Sequence, residues 1–159
     1  MHTTMLNPLA CALAAAAIAF PAAAQQRPDY GTAVTTAQAK KIAAAVIAEC
    51  AANKWNIAVA VTDTAGGLVY FERMENTQNA SLDIAVMKAK AASTYRRPTR
   101  AFLDAINKSG PATMTLPGVV ASPGGVPIMV GGKVAGAVGV SGVTGDQDEQ
   151  CAKAGLAGM

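Results

Sequence analysis

Histidine is almost absent from this sequence, since His2 is the only one among its 159 residues. That absence removes the commonest general base at neutral pH and every Ser-His or Cys-His pair. The metal-ligating spacings C-x-x-C and H-E-x-x-H are also absent, so no structural zinc is expected. Neither the phosphate-loop pattern nor the dinucleotide-binding pattern occurs. The remaining residues contain no recognisable set of catalytic side chains.

Charged side chains are sparse, at 14% of the chain, and the formal net charge is only +3. This small excess of positive charge is not typical of a nucleic-acid-binding protein, so no nucleic-acid partner is expected. The positive charge is nevertheless concentrated in one segment, where only Asp104 opposes it. This segment is either a site for carboxylate or phosphate groups or a solvated helix face. Its members are Lys88, Lys90, Arg96, Arg97, Arg100 and Lys108.

Long hydrophobic runs are missing, apart from the alanine-rich stretch over residues 6–20. That run is too short for an ordinary membrane-spanning helix, and small residues follow it at 22–24. The pattern predicts a secretory signal peptide over residues 1–24 and a mature protein that is periplasmic or secreted, with no membrane partner after cleavage. A lipoprotein cleavage site at Cys11 is the weaker alternative, because almost no apolar segment precedes that cysteine.

Only two cysteines remain after the predicted cleavage, Cys50 and Cys151. In an oxidising compartment an even number of cysteines favours a disulfide. Two buried free thiols are the alternative, because the distance between the two Cα atoms decides whether a bridge can form.

One compact domain is expected, because removing 24 residues leaves about 135, too few for two domains. The domain is assigned to residues 35–159. Residues 25–34 have little periodicity, which predicts a flexible N-terminal arm that contributes little to the core.

Changes of periodicity along the chain predict elements in the order α, β, β, α, α, β, β, α. Thr35 and Gln38 have capping-box spacing at the start of a first helix that runs to Asn53, and Thr144 is the expected N-cap of the last helix. The other expected elements are a hairpin over 57–71, a helix over 81–95, a short helix after Thr99, a Pro/Gly-rich loop over 110–125 and a hairpin over 126–140.

The fold class that follows is α+β, with an antiparallel sheet of four to five strands and helices packed on it. Hairpins need no crossover helix, which favours this class over a doubly wound parallel sheet. We expect a two-layer domain in which the first and last helices cover one face of the sheet and the other helices lie at an edge.

Glycines interrupt the second predicted hairpin, where Gly136, Gly139 and Gly142 lie inside or just beyond its second strand. They predict that a helix, a subunit or a ligand approaches the backbone closely. Gly124 with Gly125, and the run from Gly139 to Gly142, are candidates to present backbone N–H groups to an anion.

Three polar side chains are candidates for chemistry. Asp63 and Asp148 could serve as bases or bind a cation. Their alternative roles are a turn-forming residue for Asp63 and a favourable charge at a helix N-terminus for Asp148. Ser141 has no partner that the sequence identifies.

Five motifs occur in order across the domain. They are A-V-T-D-x-x-G-G-L-V-Y-F-E-R-M, K-A-K-A-A-S, G-G-V-P-I, G-A-V-G-V-S-G and D-x-x-x-A-x-A-G. In this combination the sequence resembles the GlcG/HbpS-like family of haem-binding or haem-degrading domains, which is also similar to the C-terminal domain of some corrinoid adenosyltransferases. The resemblance covers roughly residues 35–158. The resemblance implies a fold similar to PAS and profilin domains, homo-oligomerisation and, for some members, haem, iron or corrinoid-type ligands.

The resemblance also makes haem a candidate cofactor, although histidine ligation is excluded because His2 lies in the predicted signal peptide. Tyr95, Met74, Met87 or a cysteine thiolate could ligate the iron instead. Arginines of the basic segment could pair with the propionates through charge-assisted hydrogen bonds. The candidate ligand-binding residues are Asp63, Met87, Tyr95, Arg96, Arg97, Arg100, Gly124, Gly125, Ser141 and Gly142.

Three classes of function follow. The first is an exported, non-enzymatic binding protein for haem, a related tetrapyrrole or another small anionic ligand. The second is an enzyme that degrades haem or acts on a small organic acid, and the shortage of general bases counts against it. The third is an accessory homo-oligomer without a ligand, which the abundant small residues permit.

Overall fold

The computed structural model describes residues 26–159, so the predicted signal peptide over 1–24 and Cys11 lie outside the described residues. The elements follow the predicted order, with one addition: the loop before the second hairpin contains a short 3₁₀ helix. They are α1 (Thr36–Ala52), β1 (Ala58–Thr62), β2 (Leu68–Arg73), α2 (Ala80–Tyr95), α3 (Arg100–Ser109), the 3₁₀ helix (Pro111–Thr115), β3 (Gly125–Val130), β4 (Lys133–Ser141) and α4 (Gly145–Leu156). None of these helices has both the length and the apolarity needed to cross a bilayer.

The four strands form one antiparallel sheet in the order β2-β1-β4-β3. Each hairpin therefore stays together, and the inner strand of one pairs with the inner strand of the other. The prediction of an α+β fold built on an antiparallel sheet is confirmed.

α1 and α4 cover one face of this sheet, as predicted. Each helix begins with a capping box, formed by Thr35 with Gln38 and by Thr144 with Gln147. These side chains satisfy backbone N–H groups that would otherwise lack partners at the start of the helix. The main core beneath these helices includes Ile42, Val46, Ile57, Val59, Val61, Val138 and Val140.

α2 covers the opposite face of the sheet, where it packs on β1, β3 and β4. The prediction that it lies at an edge of a two-layer domain is wrong, because the second face is also apolar. Ala58 and Ala60 of β1 meet Ala85 and Ala89 of α2. At Gly139 of β4 an added Cβ would stand 2.1 Å from the Ala85 carbonyl oxygen, so the helix rests directly on the strand backbone. The sheet therefore lies between two helical layers.

The N-terminal arm, residues 26–34, is docked along β4. Tyr30 forms a parallel bridge with Val134, and the backbone N–H of Gly31 donates to the Val134 carbonyl at 2.8 Å. Val34 donates to the Ala135 carbonyl at 2.8 Å, and its side chain joins the main core at 6% exposure. The prediction of a flexible arm that contributes little to the core is therefore wrong, because the backbone of this segment forms hydrogen bonds with β4.

A disulfide joins α1 to α4 through Cys50 and Cys151, whose Cα atoms are 5.7 Å apart. Both cysteines are fully buried in the main core. Of the two alternatives that the sequence left open, the structure contains the bridge.

Candidate functional site

A cavity of about 450 Å³ opens between the N-terminal arm, the link from α2 to α3, and β3. We call it the arginine cavity. None of the described residues that line it carries a carboxylate. An apolar cavity with a few convergent polar groups is the usual form of a small-ligand site. Its polar members are Gln26, Arg27, Arg96 and Arg97, and its apolar members include Pro98, Val126, Pro127 and Met129.

Arg96 fixes one wall of the arginine cavity. It ends α2 in the left-handed conformation, with φ 53° and ψ 42°, so the chain leaves the helix before Pro98. Its Nη1 donates to the Pro28 carbonyl oxygen at 3.1 Å, and its guanidinium carbon lies 5.0 Å from the centroid of the Tyr30 ring. Tyr30 in turn donates from its hydroxyl to the Thr94 carbonyl at 2.8 Å. These contacts hold the N-terminal arm against the end of α2.

Arg97 carries an unsatisfied hydrogen-bond donor. Its guanidinium carbon lies 5.2 Å from the centroid of the Phe102 ring, within cation–π range. Among the described residues, its Nε is the one buried side-chain nitrogen or oxygen without a hydrogen-bond partner. Burying such a donor without an acceptor costs free energy. Arg97 as a residue also lines the arginine cavity, while this nitrogen itself is buried.

Arg100 belongs to a different cluster. Its Nη2 donates to Asp146 and its Nε donates to Glu149, both on α4. These hydrogen bonds, the one to Asp146 first, raise the pKa of Arg100 above its usual value. Its guanidinium therefore faces carboxylates of α4, and the structure does not bring it to the arginine cavity with Arg96 and Arg97.

A buried ion pair connects α2 to α4. Lys88 and Asp148 are 1% and 2% exposed, and Nζ lies 2.8 Å from Oδ2. Nζ also donates to the Val140 carbonyl at 3.1 Å, and Oδ1 of Asp148 accepts from the Val143 N–H at 3.2 Å. Burial raises the pKa of Asp148 above its usual value, and the neighbouring Lys88 ammonium opposes that rise. Both side chains thus have partners inside the protein.

The glycines singled out in the sequence make room for these internal contacts. An added Cβ would stand 2.9 Å from Lys88 Nζ at Gly124, where φ is 122°, and 2.4 Å from the Lys88 carbonyl oxygen at Gly125. At Gly142 it would stand 2.2 Å from the Asn56 carbonyl oxygen. The close approach predicted at Gly142 is made by the chain itself, and the chain also fills the space beside Gly124 and Gly125.

Residues 34–157 match the family described as haem-degrading HbpS-like proteins. This span contains every helix and strand given above. The chain belongs to the HbpS-like family. The resemblance inferred from the ordered motifs is confirmed.

Individual relatives agree with this assignment. Protein GlcG of Escherichia coli is 38% identical to the HbpS-like chain over 106 residues, which are 64% of this chain and 79% of GlcG. A solved double mutant of Streptomyces reticuli HbpS is 29% identical with a TM-score of 0.75, covering 92% of this chain and 98% of the other. A PduOC–haem complex is 20% identical with a TM-score of 0.73, covering 80% of this chain and 96% of the other, and at that identity the likeness shows the fold alone.

The iron ligands suggested by the resemblance lie apart from the arginine cavity of the HbpS-like chain. The Tyr95 hydroxyl donates to the Pro117 carbonyl at 2.7 Å, and the ring meets Phe102 edge-on with centroids 5.2 Å apart. Met87 is 51% exposed on α2, and Met74 packs against the main core. Both cysteine sulfurs of the described chain are bonded to each other.

The candidate polar side chains of the HbpS-like chain have structural partners. Asp63 Oδ1 accepts from the N–H groups of Ala65 and Gly67 at 2.9 and 2.7 Å, the pattern of a turn-forming aspartate. The buried Ser141 hydroxyl donates to Ser81 Oγ at 3.1 Å. Within residues 26–159 no group of three or more His, Cys, Asp or Glu side chains is placed to hold a metal ion.

Of the residues that line the arginine cavity, the sequence identified only Arg96 and Arg97, and the missed ones include Arg27 and Met129. Arg27 lies in the N-terminal arm, which was expected to be flexible, and only the docking of that arm brings it to the cavity. Met129 lies near the end of β3, directly after a shift in the pairing register at Ile128, and it is 42% exposed. The one signal in the sequence is the alternation along the predicted strand, in which Met129 shares a face with Pro127 and not with Ile128, and that signal is weak.

Proposed function

We propose that this HbpS-like chain binds haem, or a closely related anionic tetrapyrrole, in the arginine cavity. The observation that carries the proposal is the set of three arginines, Arg27, Arg96 and Arg97, that lines one cavity in which none of the described lining residues carries a carboxylate. Guanidinium groups hold carboxylates especially well, through paired charge-assisted hydrogen bonds. Haem carries two propionate carboxylates on one edge. The description of the family as haem-degrading supports a tetrapyrrole over other dianions.

The residues of the arginine cavity fit both parts of such a ligand. Arg96 and Arg97 would hold the propionates, while Pro98, Val126 and Pro127 would exclude water from one side of the macrocycle. A volume of about 450 Å³ lies within the range of known ligand sites, and the cavity is open on one side. A bound haem supplies the iron-centred chemistry, and the protein binds and orients it.

We also propose that the protein acts after export, in the periplasm or outside the cell, as a non-enzymatic binding protein. The buried disulfide supports this location, because such bonds persist in oxidising compartments. The apolar stretch over 6–20 supports export, since it has the length and composition of a signal-peptide core.

A homo-oligomer is proposed as well. β2 and β3 are the outer strands of the sheet, and such strands offer unpaired backbone groups. Leu68 on β2 is 55% exposed, and Val130 on β3 is 50% exposed. Apolar side chains on open strands suit contacts between subunits. The mass of the purified protein in solution tests this proposal, and a mass equal to that of one chain would rule it out.

A haem titration of Arg96→Ala/Arg97→Ala tests the binding proposal. We expect the wild-type protein to give a saturable change in the Soret band. The double variant should bind more weakly by about 1–3 kcal/mol for each charged hydrogen bond lost. Arg73→Ala is the matched control, because Arg73 is an exposed arginine at the end of β2 and does not line the cavity.

Thermal unfolding of the three proteins must accompany the titration, because Arg97 also stacks on Phe102. If the double variant is folded and binds haem as tightly as Arg73→Ala does, the arginine cavity is not the binding site. If the wild-type protein gives no saturable change, the protein does not bind haem.

Haem degradation is the second candidate function, favoured by the description of the family. Incubation of the haem complex with a reductant and oxygen distinguishes a haem-binding protein from a haem-degrading enzyme. A binding protein leaves the Soret band stable over many equivalents of reductant. Loss of that band, with repeated turnover of added haem, would establish an enzyme instead.

A further inference from the structure

Any ligand that the protein supplies to an iron porphyrin in the arginine cavity must come from a side chain at the cavity, and most of the usual ligands are engaged elsewhere. Residues 26–159 contain no histidine, and their two cysteines form the disulfide. The three tyrosine hydroxyls all donate hydrogen bonds: Tyr30 to the Thr94 carbonyl, Tyr70 to Glu72 and Tyr95 to the Pro117 carbonyl. The carboxylate beside Tyr70 also raises its pKa, which disfavours a phenolate.

The methionines are the remaining ligands, and only one of those in the described part of the chain lines the arginine cavity. Met74 packs against the main core. Met87 and Met114 are each 51% exposed and do not line the cavity. Met129 lines it together with Arg96 and Arg97, and it keeps 42% of its surface exposed.

We propose that Met129 supplies the thioether that ligates the iron of a haem whose propionates are held by Arg96 and Arg97. This inference rests on the proposed function. A thioether is a neutral, soft ligand that haem proteins use to raise the reduction potential of the iron. Met129 lies on a strand paired along β4, which holds its backbone more firmly than a loop would. The cavity thus combines guanidinium groups that can donate hydrogen bonds to carboxylates, an apolar surface and one sulfur atom.

The substitution Met129→Leu tests the proposal, with Met87→Leu as the matched control on α2. Leucine keeps the size and apolarity of the side chain and removes the sulfur. Ferric haem bound to the wild-type protein should display the long-wavelength charge-transfer band of sulfur ligation. We expect Met129→Leu to lose that band and to lower the reduction potential of the bound haem, and Met87→Leu to change neither.

Iron-free protoporphyrin IX separates the two kinds of contact, because it carries the same propionates without the metal. Met129→Leu should weaken the binding of haem and leave the binding of iron-free protoporphyrin unchanged. Arg96→Ala/Arg97→Ala should weaken both. Met129→His provides a gain of signal: we expect the absorbance spectrum of histidine-ligated haem and tighter binding than in Met129→Leu.

The outcomes distinguish failure of this inference from failure of the proposed function. If haem binds and Met129→Leu retains the wild-type spectrum and potential, Met129 is not the ligand and the binding proposal stands. If Met129→His binds haem without histidine ligation, the iron lies elsewhere and the inference is also overturned. If the wild-type protein binds neither haem nor iron-free protoporphyrin, both proposals fall together.

Discussion

At the scale of single residues, the pair Lys88 and Asp148 shows how far charge can be buried in this small domain. The sequence placed Lys88 in a basic segment that faces either a ligand or solvent. The structure buries its ammonium against Asp148 and the Val140 carbonyl. Such pairs recover their desolvation cost only when every donor and acceptor is satisfied. The sequence could not predict this, because nothing local marks one lysine of a basic segment as buried.

Removing one partner of this pair should be costly. Lys88→Met leaves the Asp148 carboxylate buried without its cation, and we expect the free energy of unfolding at neutral pH to fall by about 3–5 kcal/mol. The double variant Lys88→Met/Asp148→Asn has no buried carboxylate, and the asparagine side-chain oxygen can still accept the hydrogen bond from the Val143 N–H. We therefore expect it to recover most of the lost stability. Urea unfolding of the three proteins measures both effects, and a double variant no more stable than Lys88→Met would contradict this account.

The stability of Lys88→Met should also depend on pH in a definite direction. Burial already raises the pKa of Asp148, and loss of the Lys88 ammonium removes the main influence that lowers it. A carboxyl whose pKa is raised on folding stabilises the protein below about 3.9, the usual aspartate value, and that stability is lost as pH rises through the folded-state pKa. Relative to the double variant, Lys88→Met should therefore lose stability as pH rises from acid to neutral. If the difference in the free energy of unfolding between the two variants does not change with pH, this account of Asp148 is contradicted.

At the scale of elements, the face covered by α2 is built from the smallest side chains in the domain. Ala85 and Ala89 of the helix lie on Ala58, Ala60 and Gly139 of the sheet. Packing of this kind brings helix and strand backbones close together, so the helix position tolerates almost no added volume.

Gly139→Ala should destabilise the protein by about 3 kcal/mol or more, because the added Cβ would meet backbone atoms that cannot move aside. Those atoms are the Ala85 carbonyl oxygen at 2.1 Å and the Ala89 nitrogen at 2.4 Å. Gly158→Ala is the control: nothing lies within 4 Å of its Cβ position, and we expect a change within about 0.5 kcal/mol. Equal stabilities of the two variants by urea unfolding would refute the close packing of α2.

The elements themselves were largely predictable, and their arrangement was less so. The capping box of Thr35 and Gln38 is a local signal, and the structure contains it. The face that α2 covers depends on Gly139, about fifty residues further along the chain, and an alanine-rich helix indicates burial without indicating its partner. For the arginine cavity, the basic segment identified Arg96 and Arg97, while Met129 joins them only through the tertiary fold.

At the scale of the whole molecule, one covalent bond links the first helix to the last. Cys50 and Cys151 are separated by 101 residues, so the disulfide closes a loop that contains the entire sheet. Loops of this length restrict the unfolded chain strongly, which stabilises the folded state.

Cys50→Ala/Cys151→Ala should lower the free energy of unfolding by about 2–5 kcal/mol. Urea unfolding with and without a thiol reductant measures the effect. The wild-type protein should lose a similar amount on reduction, and the double variant should not respond to the reductant. A wild-type protein whose stability is the same in both conditions would show that the bridge contributes little.

The docking of the N-terminal arm on β4 also determines when during synthesis the arm can reach its final position. The arm leaves the ribosome early, yet its partners Val134 and Ala135 are synthesised about a hundred residues later. Because the arm forms one wall of the arginine cavity, nascent chains lack that wall until β4 has emerged and folded. The complete arginine cavity is then present only in the finished domain. A chain that crossed a membrane unfolded would complete the cavity only on the far side.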